Sequence, residues 1–254
     1  MSERAIELLN LPADSPPLLL LDLGCGSGLS GQVISEMGHE WIGLDISPAM
    51  LDIALENGEG GNLILRDLGT GLPFRPGSFD GAISVSALQW LCNADKASQN
   101  PIRRLRVFFE SLFASLKRSA RAVLQIYPET SQQMDLITSS ALRAGFTGGV
   151  VIDYPNSAKA KKYYLTLFAG PPPQNYQQPK ALGAEAEGDE RSATFVDDRS
   201  LGRKRRRIVK GGGVSKPTKK SREWIMKKKE HQKMQGKHVK ADSKYTGRKR
   251  KSAF

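Results

Sequence analysis

The sequence is poor in the residues that would support a disulfide-bonded or metal-centred protein. Of its 254 residues, two are cysteine (Cys25 and Cys92) and three are histidine. Two cysteines provide neither a disulfide framework nor the spacing of a zinc site. We therefore expect an intracellular protein of a reducing compartment, without a metal centre.

Long apolar runs are also missing. Residues 18–21 are four leucines, and Asp22 ends this run, whereas a membrane-spanning helix needs about 20 apolar residues. The first residues, MSERAIELLNLP, lack the arrangement of a signal peptide. The sequence therefore predicts a soluble protein with no membrane partner.

Positive charge is concentrated at one end of the chain. Residues 1–199 contain 17 Lys/Arg and 23 Asp/Glu, a net charge of −6, whereas residues 200–254 contain 21 and 3, a net charge of +18. Because so basic a segment has few large apolar residues to bury, residues 199–254 are expected to be a largely disordered tail. Nucleic acid is its natural partner, since basic residues release the counterions of phosphates.

Before the basic tail, strand patterns and helix patterns alternate along the sequence. Residues 1–17 are predicted to contain a short helix, residues 18–172 an α/β domain and residues 173–198 a linker. The predicted strands are residues 18–23, 40–45, 62–66, 79–85, 121–127, 148–154 and 162–168. The connection between the last two is too short for a crossover helix, so they should form an antiparallel hairpin. The prediction is a Rossmann-like, seven-stranded, mostly parallel sheet with that hairpin at its end.

The most informative segment is the glycine-rich run after the first predicted strand, Asp22-Leu23-Gly24-Cys25-Gly26-Ser27-Gly28. Glycine lacks the Cβ that would block close approach of a ligand to the backbone, and amides at the start of the next helix face the ligand. A carboxylate before the glycines suits the cationic sulfonium and amino groups of S-adenosylmethionine and would repel a phosphate. The segment therefore predicts a methyltransferase loop, with Asp22, Gly24, Gly26 and Gly28 at the cofactor.

A nicotinamide-dependent enzyme is a second hypothesis. Gly26, Gly28 and Gly31 match the dinucleotide fingerprint G-x-G-x-x-G, and Asp45 follows Gly26 by 19 residues. Three features favour S-adenosylmethionine: the acid before the loop, the acid Asp67 after the third strand, and the terminal hairpin.

Two further acids follow predicted strands. Asp45, followed by Ile46, ends the second strand and can accept hydrogen bonds from both ribose hydroxyls. Asp67, followed by Leu68, would accept a hydrogen bond from the exocyclic amine of adenine. Because the carboxyl ends of parallel strands meet at one edge of the sheet, acids at three successive strand ends predict one cofactor site.

The pocket for the methyl acceptor is expected along residues 86–90, with Gln89 and Trp90 as its candidate residues. Trp90 could stack on a planar substrate, but tryptophan at such a position also serves ordinary packing. The sequence has neither the Asp/Asn-Pro-Pro-aromatic run of amino methylation nor a Pro-Cys or Thr-Cys pair for carbon-5 methylation. No catalytic general base is predicted. Guanine N7 permits such a reaction, since its free lone pair can attack the methyl group directly.

Motifs spread over nearly the whole chain carry a resemblance to a known family. They are residues 18–28, 44–51, 71–84, 86–94, 141–146, 153–157 and 245–251. With these motifs the chain resembles the nuclear small-subunit ribosomal RNA guanine-N7 methyltransferases of ribosome biogenesis, which include the protein deleted in Williams–Beuren syndrome. The segment Gln89-Trp90-Leu91-Cys92-Asn93 together with the basic tail is the most specific part.

This resemblance implies transfer of a methyl group from S-adenosylmethionine to guanine N7 in small-subunit rRNA during pre-ribosome maturation and export. It implies a location in the nucleolus and nucleoplasm, with the cytoplasm as a further compartment. It also implies a heterodimer with a small zinc-binding activator protein, which we expect at the edge strand Asn62–Leu65. Only about seventeen residues precede Leu18, fewer than is usual in the family, so a shortened N-terminus is expected.

Two other functions stay open. A small-molecule methyltransferase of the same fold would leave the basic tail without a role. A pre-ribosome assembly factor could use the fold and the tail without catalysis. Two basic clusters, residues 203–207 and 216–222, are typical of nuclear import, and residues 224–229 could form a short helix on RNA.

Overall fold

The computed structural model describes residues 1–12, 15–58, 62–93, 100–157, 159–172, 179–183 and 193–195, and in the tail residues 225, 226, 228, 229 and 232. The chain divides into two compact units, Met1–Lys204 and Arg205–Phe254. In the second unit the described residues are helical. Trp224 and both predicted import clusters lie outside the described residues.

Helices and strands alternate along the first unit. The helices are α1 (Ser2–Leu9), α2 (Leu29–Glu36), α3 (Pro48–Glu56), α4 (Pro101–Ser115) and α5 (Ser131–Arg143). The strands are β1 (Leu19–Leu23), β2 (Glu40–Asp45), β3 (Asn62–Leu65), β4 (Phe79–Val85), β5 (Leu116–Ile126), β6 (Thr147–Asp153), β7 (Lys162–Phe168) and β8 (Ala193–Phe195). Short 3-10 helices, Leu68–Thr70 and Leu88–Cys92, follow β3 and β4. Within the described ranges, no helix has the length and apolar character needed to cross a bilayer.

The strands form one sheet in the order β3-β2-β1-β4-β5-β7-β6-β8. The strands from β3 to β5 in this order pair in parallel, and β7 is antiparallel to both β5 and β6. The predicted mostly parallel sheet with an antiparallel hairpin at its end is confirmed. Its topology places the carboxyl ends of β1–β4 side by side along one edge.

Two details differ from the sequence prediction. Strand β5 begins at Leu116 rather than at residue 121, because Leu116 already pairs with Phe79 before the register shifts. The structure also adds the three-residue strand β8, which pairs antiparallel with β6. These residues lie in the segment predicted as a linker, and their pairing satisfies backbone groups that an unpaired edge strand would leave open.

Part of the predicted linker also packs against the α/β domain. The amide of Tyr154 donates to the carbonyl oxygen of Leu182 at 2.7 Å, and the amide of Leu182 donates to Asp153 Oδ1 at 2.9 Å. Arg4 of α1 donates from Nε to the other oxygen of Asp153 at 3.0 Å. Asp153 thus joins α1, the end of β6 and residues 179–183.

Helices cover both faces of the sheet, as alternation along β1 illustrates. Leu21 and Leu23 belong to the core beneath α4 and α5, whereas Leu20 belongs to the core beneath α1 and α2. Because side chains alternate along a strand, Asp22 shares the face of Leu20. The apolar face of α4, which is fully buried, consists of Leu105, Phe108, Phe109 and Leu112. Their spacing of three and four residues is that of one helix face.

Side-chain caps set where α3 and α4 begin. Ser47 accepts a hydrogen bond from the amide of Met50, and Asn100 accepts one from the amide of Arg103. Each cap precedes a proline at the first helical position, where the missing amide costs no hydrogen bond. The cap of α3 comes two residues after Asp45, so the start of this helix lies beside the end of β2.

Candidate functional site

A cavity of about 320 Å³ opens at the carboxyl ends of β1, β2, β3 and β4, a size within the range of small-molecule sites. The residues that line it are Gly24, Gly26, Asp45, Ile46, Met50, Arg66, Asp67, Leu68, Val85, Ser86, Ala87, Trp90, Leu91 and Arg104. The connection from β1 leads to β2 on one side, and the connection from β4 leads to β5 on the other side. Open α/β sheets bind their ligands at such a point.

The glycine loop forms the part of the wall that follows β1. Gly24 and Gly26 both have positive φ, 79° and 56°. A Cβ on Gly24 would overlap the Cβ of Ala87, so the loop lies directly against the turn after β4. A Cβ on Gly26 would meet no atom within 4 Å, which leaves open space for a ligand on that side. Gly28 is the N-cap of α2 and is not among the lining residues.

Asp22 lies beneath the loop rather than in the cavity wall. Its side chain is fully buried; Ser30 Oγ donates to its Oδ2 at 2.5 Å, while Oδ1 has no hydrogen-bond partner among the described residues. Burial raises the pKa of Asp22 to about 7; the hydrogen bond from Ser30 opposes this change, and the nearby carboxylate of Asp45 adds to it. A buried carboxylate with an unpartnered oxygen is a group that a nearby cation would stabilise.

The substitution Asp22→Asn should flatten the pH dependence of stability in the cofactor-free protein. The folded-state pKa lies above the ordinary value of 3.8, so the folded chain binds this proton more tightly than the unfolded chain. Stability from this group is therefore lost as the pH rises from about 4 to about 7. The loss in the wild type is at most about 4 kcal/mol. Thermal unfolding near both ends of this window measures it, and an equal loss in D22N would contradict the assignment.

Asp45 joins the glycine loop to the start of α3. Its Oδ2 accepts from the amide of Gly26 at 2.9 Å, and its Oδ1 accepts from the amide of Ser47 at 2.8 Å. A carboxylate has about four acceptor positions, so Asp45 can still accept hydrogen bonds from a diol in the cavity. Ile46 and Met50, which are 64% and 45% exposed, add apolar surface at this end.

Asp67 has a partner that the sequence did not indicate. Its Oδ1 accepts from the amide of Gly69 at 2.8 Å and from Nη2 of Arg104 at 2.7 Å, and within the described part of the chain no hydrogen bond reaches Oδ2. Arg104 lies 37 residues further along the chain. It reaches Asp67 because α4 packs against the 3-10 helix after β3. Leu68, which is buried, completes this part of the wall.

Of the two residues predicted for the acceptor pocket, which are neighbours in the turn after β4, only one lines the cavity. Trp90 lines the cavity and is 64% exposed. Gln89 is not among the lining residues; its Nε2 donates to the carbonyl oxygen of Ser86 at 2.8 Å. Gln89 therefore holds the turn, while Trp90 presents a ring at the rim.

Several lining residues were not predicted individually. Ser86 and Ala87 fall in the segment expected to line the pocket, whereas Met50, Arg66, Val85, Leu91 and Arg104 were not singled out. The position of Met50, one turn into the helix after a strand-end acid, is a signal that could have identified it. Arg66 and Arg104 have no such local signal.

Comparisons with known proteins agree with this geometry. A model described as a methyltransferase domain matches residues 21–107. The crystal structure of an S-adenosylmethionine-dependent methyltransferase from Mesorhizobium loti has a similar fold, with a TM-score of 0.50 and 18% identity over 66% of this chain and 98% of that one. The fold and the site together define a class I S-adenosylmethionine-dependent methyltransferase.

Relatives of the whole chain identify its family. The 18S rRNA (guanine-N(7))-methyltransferase of Mus musculus is 57% identical over 255 residues, which cover 100% of this chain and 86% of the relative. The 18S rRNA (guanine(1575)-N(7))-methyltransferase of Saccharomyces cerevisiae is 48% identical, with 100% and 88% covered. The chain belongs to the 18S rRNA (guanine-N7)-methyltransferase family. A family model described as "Methyltransferase involved in Williams-Beuren syndrome" matches residues 167–252, which include the basic tail.

The cavity fits S-adenosylmethionine, the cofactor of this class. The unpartnered oxygen of Asp22 suits a cationic ligand, and the open space beside Gly26 admits one close to the backbone. The lining combines two strand-end carboxylates with apolar side chains, as a nucleoside requires. Family membership excludes the second hypothesis, a nicotinamide-dependent enzyme.

Proposed function

We propose that this protein transfers a methyl group to N7 of a guanine in 18S rRNA during maturation of the small ribosomal subunit. The observation that carries the proposal is the identity of 47–57% over the whole chain to relatives named for this activity. The cavity supports it, since the exposed ring of Trp90 at the rim can stack on a base.

Each predicted cofactor residue receives a role in this proposal. Asp45 would accept hydrogen bonds from the ribose hydroxyls, with Ile46 packing beside the nucleoside. Asp67, through Oδ2, and Leu68 would contact the adenine. Asp22 would offset the positive charge of the cofactor from beneath the loop, and the loop itself, Gly24, Gly26 and Gly28, would lie along the methionine part.

The lining residues suit a reaction that needs no general base. Bound S-adenosylmethionine supplies an electrophilic methyl group, and guanine N7 accepts it through a lone pair without losing a proton. The two carboxylates of the wall accept hydrogen bonds from the protein, Asp45 from backbone amides and Asp67 from Arg104, and the proposal assigns their remaining acceptor positions to the cofactor. The contribution of the protein is therefore to orient the base and to exclude water.

Mapping of N7-methylguanosine in 18S rRNA tests the proposal. Cells that lack the protein should lose the modification at a single guanine, and re-expression of the chain should restore it. Purified chain together with its activator should label the same guanine from methyl-labelled S-adenosylmethionine. An unchanged modification map in the deletion strain would contradict the proposed function.

We further propose that a small zinc-binding activator docks on the outer edge of β3. Strand β3 pairs with β2 and ends the sheet, so its other side offers backbone donors and acceptors. Leu65 on this strand and Leu55 on the neighbouring α3 are 58% and 62% exposed. An apolar strand edge of this kind is suited to pairing with a partner strand.

Glutamate at Leu63 and Leu65 should abolish copurification of the activator. Two added charges oppose burial of this edge, so recovery should fall at least about tenfold. The matched control is Ile102→Glu at the start of α4, whose exposure of 57% is similar to that of Leu65. Co-expression followed by affinity capture measures the ratio of the two chains. Unchanged recovery with the double variant would rule out this docking surface.

The basic tail would direct the protein to the nucleus and engage pre-ribosomal RNA. Deletion of residues 199–254, which removes 22 Lys/Arg, should abolish nuclear accumulation and reduce the slope of RNA affinity against salt by several units. A Gly/Ser segment of equal length is the control for chain length. Fluorescence microscopy and binding titrations at several salt concentrations provide the measurements. Nuclear accumulation that survives the deletion would disprove the role of the tail in import.

A further inference from the structure

Gln125 is a buried polar residue of the central strand β5 that none of the roles above involves. It is fully buried, and it pairs in register with Val85 of β4 and Tyr164 of β7. A side-chain amide in such a core destabilises the fold unless it is hydrogen-bonded. Its side-chain partner is a residue of the cavity wall.

That partner is Ser86, the residue directly after β4. Ser86 Oγ donates to Gln125 Oε1 at 2.6 Å, and the amide of Ser86 donates to the carbonyl oxygen of Gln125 at 3.1 Å. Nε2 of Gln125 donates to the carbonyl oxygen of Ile126 at 3.3 Å. The amide group is therefore oriented with its oxygen, Oε1, toward Ser86. One buried residue thus holds both the backbone and the side chain of Ser86.

Ser86 needs this support because its backbone has a φ of 57°. The left-handed region is unfavourable for a residue with a Cβ, which adopts it only where its surroundings enforce it. The carbonyl oxygen of Ser86 is held as well, by Nε2 of Gln89 at 2.8 Å. The strained conformation therefore depends on two glutamines, one in the core and one in the turn.

The position of this turn links the two halves of the cavity. Ala87 lies so close to Gly24 that a Cβ on Gly24 would overlap the Cβ of Ala87. The turn is therefore coupled to the glycine loop. Trp90 and Leu91 follow on the same short helix and line the other side. A shift at Ser86 would change the distance between the loop and the acceptor wall.

We propose that Gln125 is a positioning residue for methyl transfer, which acts through Ser86 to hold the turn after β4 in its left-handed conformation. Gln125 does not line the cavity. Its effect on the reaction arises from the alignment of the acceptor base with the cofactor, and small misalignments reduce a transfer rate strongly. The activity part of this inference rests on the proposed function.

A double-mutant cycle on Gln125→Leu and Ser86→Ala tests the proposal. Each variant should lower kcat about 10- to 100-fold while the Kd for S-adenosylmethionine changes by less than about threefold. The double variant should be no slower than the slower single variant, because both changes break the same hydrogen bond. Additive losses, or a Q125L enzyme with the wild-type kcat, would overturn it.

Thr166→Val is the matched control. Thr166 is a buried polar residue of the neighbouring strand β7, and its Oγ1 has no hydrogen-bond partner among the described residues. This variant also removes a buried polar group from the sheet but does not touch the turn, so its kcat should stay within about twofold of the wild type. A loss equal to that of Q125L would mean that any change of a buried polar group in this part of the sheet lowers the rate, and that the turn is not the cause.

Hydrogen exchange separates this inference from the proposed function. In Q125L the backbone amides of residues 86–91 should exchange at least about tenfold faster, while those of β1 keep their protection. Unchanged exchange in the turn would overturn the inference whatever the substrate is. A wild-type protein that binds S-adenosylmethionine but leaves 18S rRNA unmethylated would contradict the proposed function, and the exchange result would still decide the role of Gln125.

Discussion

Asp45→Lys should lower the affinity for S-adenosylmethionine by at least about 100-fold, because it removes a hydrogen-bond acceptor and adds a like charge beside a cationic ligand. The carboxylate now accepts from the amides of Gly26 and Ser47 at 2.9 and 2.8 Å. Lysine can accept neither bond, so the loop also loses its tie to the start of α3. Calorimetric titration of the protein, alone and with the proposed activator, measures the change.

Two comparisons isolate the causes of this loss. Asp52→Lys makes the same change in net charge at an exposed position of α3, and its affinity should stay near that of the wild type. S-adenosylhomocysteine lacks the sulfonium charge, so D45K should weaken its binding less than that of S-adenosylmethionine. Equal losses for both ligands would show that repulsion between Lys and the sulfonium group contributes nothing.

Tight binding of NADH by the wild type, without binding of S-adenosylmethionine, would contradict the cofactor assignment itself.

The same variant separates catalysis from assembly in cells. D45K should abolish N7 methylation while it leaves the rest of the fold and the basic tail in place. If growth and the yield of small subunits survive this change, the protein also serves ribosome assembly by its presence alone. If they fall as in the deletion strain, methyl transfer is the required activity.

Gly24→Ala should reduce methyl transfer by at least about 100-fold, because two costs coincide at this residue. Its φ of 79° disfavours any residue with a Cβ, and the new Cβ would overlap that of Ala87. Either the glycine loop or the turn after β4 must then move. The substitution Ala87→Gly removes the overlapping atom, so G24A/A87G should recover about tenfold in kcat/KM while the backbone cost stays.

Gly38→Ala is the control for backbone strain. Gly38 has a φ of 80°, like Gly24, but an added Cβ there would meet no atom within 4 Å. G38A should therefore lose about 1 kcal/mol of stability and keep its activity. The comparison uses kcat/KM together with the thermal midpoint. If the double variant recovers nothing, or if G38A is as inactive as G24A, contact between the loop and the turn is not what requires glycine.

Much of the fold follows from patterns that act over a few residues. Apolar runs that end in an acid mark β1 and β2, and Ser47-Pro48 marks the start of α3, because strand burial and helix capping depend on near neighbours. The antiparallel hairpin follows from the short connection between β6 and β7. Local patterns also locate Asp45 and Asp67, since residues at the carboxyl end of a parallel strand lie at the ligand edge of the sheet.

Other features of the site required the packed structure. The sequence placed Gln89 at the acceptor pocket, but the fold turns its side chain toward Ser86. Arg104 reaches Asp67 from a helix 37 residues away, and Gln125 reaches Ser86 from the next strand of the sheet. Neither contact has a pattern in the sequence, because each depends on where a distant element lies.

By itself the sequence determined the class of fold and the family, and it placed the glycines after β1 and the acids Asp45 and Asp67 at the carboxyl ends of strands, because these depend on residue type and spacing along the chain. The tertiary structure alone decided that Asp22 is buried with a pKa near 7, that Asp67 is paired, and that Ser86 is held in a left-handed conformation. Burial, pairing and strain are properties of groups brought together in space, and only the packing of helices against the sheet sets those distances.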